Sequence, residues 1–189
     1  MKKLLIIAGL LSLPMLGVQA QAFRGLDKSS LEMAYYPDDF AHTRKTNDEK
    51  PLARVLYSRP ARNGREVFGK LVPYGKVWRT GANENTEIRL YQDATIGGKK
   101  VKAGTYSLFT IPGENEWTII LNNELDYWGA FRHKPESDVI RVTAPVKKGT
   151  ESLENFSLQF AKASTGGPND AVMRMGWADT VVEVPVSFQ

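Results

Sequence analysis

Val182-Glu183-Val184-Pro185-Val186-Ser187-Phe188 is the stretch that decides the fold. Its apolar residues recur with a period of two, which in an extended chain places Val182, Val184, Val186 and Phe188 on one face. The same period runs upstream: Thr86, Ile88 and Leu90 oppose Glu87 and Arg89, and Ile140, Val142 and Ala144 oppose Arg141 and Thr143. Phe156, Leu158 and Phe160 oppose Ser157 and Gln159, and Met173, Met175 and Trp177 form a further set. Tyr106 to Ile111 and Trp117 to Leu121 are apolar on both faces and read as central strands.

Turn residues separate these runs. Gly97-Gly98 joins Ala94-Thr95-Ile96 to Lys99-Lys100-Val101, Pro112-Gly113-Glu114-Asn115 parts the two central runs, and a loop from Ser164 to Asp170 precedes Met173. Lys99-Lys100 reads as a solvated edge that discourages strand pairing. The pattern predicts an all-β, antiparallel, β-sandwich-like single domain over residues 52–189. Residues 21–51 are polar and weakly periodic, with Tyr35-Tyr36-Pro37 as their dense apolar spot. They predict an irregular segment that packs on the domain or leads into it.

Residues 1–20 have the three parts of a secretory signal. Lys2 and Lys3 give a positive start, Leu4 to Val18 is apolar, and Val18-Gln19-Ala20 offers small residues for cleavage before Gln21. The apolar run is too short to span a bilayer, and Gly9 and Pro14 interrupt it. The expected location is therefore periplasmic or extracellular, with no integral membrane segment left after cleavage. Loss of Lys2 and Lys3 lowers the formal charge of +4 by two. The remaining cations are interspersed with acids, which argues against nucleic acid as a partner. The chain has no cysteine, so thiol catalysis and thiolate metal sites are excluded.

Two stretches are more specific than strand patterning: Ser58-Arg59-Pro60, and Leu71 through Trp78-Arg79-Thr80-Gly81-Ala82-Asn83-Glu84. With Ile96 to Val101, Ala103 to Pro112, Trp117 to Asn122, Trp128-Gly129-Ala130-Phe131 and the earlier Ala34-Tyr35-Tyr36-Pro37, they make the chain resemble a bacterial exported family known as domain of unknown function 2911. The resemblance implies an exported β-rich domain. It implies no catalytic residue.

The densest polar cluster is the Trp78 to Glu84 segment. An arginine fork, an asparagine amide, a carboxylate and an indole face together suit an oxygen-rich ligand. Trp78, Arg79, Asn83 and Glu84, with Trp128 as a second apolar wall, are thus the candidate ligand-binding residues. The structural alternative has Arg79 pairing with Glu84 or with carbonyls, Gly81 supplying a bend and Trp78 filling the core. Glu84, Glu87, Asp93 and Asp126 are the candidates for a glycosidase-type carboxyl pair, which needs a separation of about 5–9.5 Å. His42 and His133 lie far apart and are expected on exposed loops, so neither a metal nor a cofactor is expected. No Gly-x-Ser-x-Gly elbow is present and no catalytic residue is assigned. The expected function is a non-catalytic binding or interaction module for a glycan, peptide or envelope partner. The alternatives are a glycan-directed hydrolase with paired carboxylates and a purely structural envelope protein. The oligomeric state is left open.

Overall fold

A computed structural model describes residues 23–189; the signal-peptide reading of residues 1–20 falls outside the described residues. The chain forms β1 (Leu31–Tyr36), a single helical turn α1 (Phe40–Thr43), β2 (Ala53–Ser58), β3 (Thr86–Leu90), β4 (Ala94–Ile96) and β5 (Lys99–Val101). It continues through β6 (Gly104–Pro112), β7 (Glu116–Asn122), a 3-10 turn (Pro135–Ser137), β8 (Asp138–Lys162) and β9 (Asp170–Phe188). Among the described residues the ladders between these strands are all antiparallel and join them into one sheet of order β1-β2-β3-β6-β7-β8-β9-β4-β5.

One sheet serves two layers because β8 changes partner along its length. Glu116 to Asn122 of β7 pair with the start of β8, from Asp138 to Pro145, while Val146 to Lys162 pair with β9. Register shifts near Leu153 add residues on β8, and such bulges bend a strand and sharpen its twist. The roll brings the first strand against the last: the Tyr36 ring stacks on Phe188 at 5.5 Å and meets Phe160 at 6.2 Å. Tyr57 Oη accepts a hydrogen bond from the Leu158 N–H at 3.0 Å, tying β2 to β8.

The alternating residues face inward as their period requires. Phe156, Leu158, Phe160, Val182, Val184 and Val186 are all at most 4% exposed. The sequence reads β9 as two runs, and the structure explains why. The apolar parity switches between Trp177 and Val182, and Ala178 takes a positive φ of 51° where the strand absorbs the offset. The polar stretch between Ala144 and Phe156 likewise hides the continuity of β8.

The central strands are apolar on both faces for a reason local to this fold. Leu108 and Ile119 belong to the inner core. Phe109 and Ile120, their outward neighbours, are nonetheless fully buried. The His133 ring stands edge-on to Phe109 at 5.2 Å, as the loop after β7 folds back over the outer face. Within the polar N-terminal segment, Leu31–Tyr36 adds β1 at the edge of the sheet. Its Leu31 and Met33 are exposed on the outer face, while Tyr36 at its end is buried in the core. Among the described residues no helix is long and apolar enough to cross a membrane.

Candidate functional site

The Trp78 to Glu84 segment divides between the two faces of the sheet. Trp78 exchanges backbone hydrogen bonds with Thr110 of β6 and turns inward. Its ring lies 5.1 Å from Phe156 and 6.0 Å from Phe68, Trp117 and Trp177, and its Nε1 donates to the Gly81 carbonyl at 3.0 Å. Trp78 is core, and the structural alternative holds for it. Thr80 follows it inward, donating to Thr110 Oγ1 and accepting the Thr86 hydroxyl on its carbonyl at 2.7 Å. Gly81 fits because a Cβ there would lie 2.8 Å from the Ser58 carbonyl oxygen.

Beyond this turn the chain emerges on the outer face. Asn83 takes a positive φ of 58° and its carbonyl accepts the Gly129 N–H. Asn85 accepts the Tyr127 N–H on its side chain at 2.7 Å and donates its own N–H to the Tyr127 carbonyl. These bonds, with the bridge between Glu84 and Trp128, zip the 126–129 loop to the 83–85 turn. Two segments distant in sequence thereby place Glu84 beside Trp128.

The result is an open groove of about 550 Å³. It is lined by Leu56 and Glu87 of the sheet, by Leu31 and Asp27, and by Asn83, Glu84, Asp126 and Trp128. Trp128 is 59% exposed, so the indole face is open to a ligand. Four carboxylates line the groove; Arg24 pairs with Asp27 at 3.6 Å and Arg54 with Glu87 at 3.9 Å, which leaves Glu84 and Asp126 as its excess of negative charge. Asp27 receives the Ser29 N–H at 2.7 Å and the Asn83 amide at 3.1 Å. These bonds, in that order, and Arg24 hold its carboxyl below the usual carboxylate range.

Of the candidate ligand residues, the structure therefore brings together Asn83, Glu84 and Trp128 and leaves out Trp78. Arg79 does not line the groove. It is half-buried, its Nε lacks a hydrogen-bond partner, and burial draws its pKa below the ordinary arginine value. Among the described residues no ion pair joins it to Glu84. Of the four candidate acids, Glu84, Glu87 and Asp126 share the groove, whereas Asp93 is engaged elsewhere by Lys102 and the Ala103 N–H. Asp27 and Asn85 were not legible as site residues. The first comes from the polar N-terminal segment and the second acts through the loop it holds.

His133 corrects the expectation of an exposed loop residue. Its side chain is only 6% exposed and bonds Asp138 at 2.9 Å. Asp138 also accepts from Asn122 at 2.7 Å and from Arg141 at 2.6 Å. This network fastens the loop that carries Asp126 and Trp128. Among the described residues no group of three or more His, Asp or Glu side chains is placed to hold a metal ion.

A rolled antiparallel sheet with a solvent-open, acid-rich groove on its outer face defines a small all-β domain. The chain belongs to the family described as "Protein of unknown function (DUF2911)", which it matches over residues 40–186. No curated protein and no solved structure matches it.

Proposed function

We propose that the chain is an exported, non-catalytic binding module, and that the outer groove takes a ligand rich in hydrogen-bond donors, such as a peptide or a glycan. One observation carries this reading: Trp128 stands exposed beside Asn83 and four carboxylates on a sheet whose other tryptophans are buried. An exposed indole offers a large apolar face at little conformational cost, and the carboxylates accept hydrogen bonds around it. The signal-like residues 1–20 support export to the periplasm or beyond.

Thermal melts of the mature chain against cationic peptides and neutral glycans test the reading. A ligand that raises the melting temperature of the wild type but not of Glu84→Gln or Asn83→Ala supports it. Equal shifts in all three proteins would move the ligand to another surface. A second reading, carboxylate-based glycoside hydrolysis, is favoured by the meeting of Glu84, Glu87 and Asp126 in one groove. It requires turnover that Glu84→Gln removes without altering the melt.

A further inference from the structure

Arg59 and Arg79 are both partly buried, and the fold treats them differently. Arg59 uses every nitrogen: Nε donates to the Phe156 carbonyl at 3.1 Å, Nη1 to Glu32 at 3.0 Å and Nη2 to Ser157 Oγ at 2.9 Å. Arg79 uses none. Among the described residues its side chain makes no hydrogen bond, pairs with no carboxylate and lies over no aromatic ring, and its Nε is fully buried without a partner. Arg54 also has a buried, unbonded Nε, but its Nη2 faces Glu87 at 3.9 Å. No acid precedes Asp27 in the sequence, so residues 1–22 supply no counter-charge.

A lone guanidinium in this position is costly. Arginine keeps its proton, so burial removes solvation without neutralising the charge. An arginine that only covers apolar surface buries its methylene stem and leaves its head in water. Here the enclosed atom belongs to the head. Burial draws the Arg79 pKa below its ordinary value, and no charged group of either sign contributes. The two Nη nitrogens, unbonded within the protein, are not enclosed. They form an end-on fork that matches a pair of oxygens on one anionic group. Trp78 and Thr80 face the core, so the residue between them turns to the outer face, where the Thr86 N–H holds its carbonyl at 3.1 Å.

We propose that Arg79 anchors a second ligand site on the outer face, apart from the acidic groove, and that this site takes a carboxylate group. The guanidinium is left unpaired by the fold because its partner is a ligand. Charge balance selects the anion: one positive charge with no second cation near it neutralises a carboxylate, whereas a phosphate dianion would stay half uncompensated. Arg79 does not line the groove, so the two sites do not depend on each other for their contacts.

The test follows the Arg79 Nε–H resonance of the isotope-labelled mature chain, which burial shields from exchange with water and which Arg79→Lys removes. Sodium acetate at constant ionic strength should shift it saturably, and sodium chloride should not. N-acetylglycine and glucuronate then separate a peptide terminus from a sugar acid as the source of the carboxylate, by which saturates the shift at the lower concentration. Arg79→Lys keeps the charge but not the fork, and should weaken acetate binding about tenfold or more, read from the Thr86 amide. Arg79→Met should melt no lower than the wild type, because it removes an unpaired charge and breaks no bond. A clearly lower melting temperature for Arg79→Met would show the guanidinium to be structural and overturn the proposal. So would an Nε–H resonance that acetate leaves unmoved, an equal acetate response in Arg79→Lys, or a response to phosphate alone.

Discussion

Trp78 and Trp128 are the same residue type, each followed within a few positions by glycine, yet they serve opposite faces of the sheet. Trp78 is 7% exposed and touches four aromatic rings, whereas Trp128 is 59% exposed at the rim of a groove. The difference comes from strand phase. Trp78 is in register with Thr110, whose side chain faces the core, while Trp128 sits on a loop fastened to the outer-face turn at Glu84. Inner positions decide whether the domain folds, and outer positions are free to recognise something.

The sharpest way to break this comparison is to truncate both indoles. Trp78→Ala should cost roughly 3–5 kcal/mol in urea unfolding, because it empties an aromatic core. Trp128→Ala should stay within about 0.5 kcal/mol, as an exposed substitution does. Similar losses would mean that the two faces are misassigned. The same contrast applies to neighbours on β8. Leu158→Ala should cost about 2–5 kcal/mol, and Gln159→Ala, which points to solvent, only a few tenths at most.

His133 sharpens the comparison because it is buried on the outer face. His133→Ala leaves Asp138 with one fewer partner and uncovers Phe109, at a cost of about 1–3 kcal/mol. It should also weaken ligand binding, since the loop it fastens carries Trp128. A stable variant with unchanged binding would separate that network from the groove.

The smallest expected effect lies at Glu183, an outward residue of β9. Lys147 at 2.6 Å holds its carboxyl below the usual glutamate range, with help from Arg174 at 2.8 Å. A lowered folded-state pKa stabilises the protein above the unfolded value and loses that contribution as pH falls through the folded one. Glu183→Gln should therefore reduce stability at neutral pH by less than about 1 kcal/mol, and the gap from wild type should close in acid. A gap that widens with acidification would reverse the assigned sign.

Strand identity was legible because burial on one face enforces a two-residue period, and Phe156 to Phe160 and Val182 to Phe188 obey it. The length of β8 was not, because its middle crosses from one partner to another through polar residues. Site residues were legible only as a composition. Nothing in Trp78-Arg79-Thr80-Gly81-Ala82-Asn83-Glu84 says that the chain crosses from the core to the surface at Gly81. That crossing depends on the close approach of Ser58, set by a strand more than twenty residues earlier. His133 was misread for a related reason: its basic neighbours Arg132 and Lys134 are exposed, while its own partner Asp138 begins the next strand.

Acrylamide quenching of tryptophan emission tests the groove most directly. Trp117 and Trp177 are at most 1% exposed and Trp78 is 7% exposed, so Trp128 should dominate the accessible fraction. Trp128→Ala should abolish most of the quenching, and a saturating ligand found by the thermal melts should shield the wild type to the same level. A bound ligand that leaves the quenching of Trp128 unchanged would contradict the assignment of the groove as the binding site.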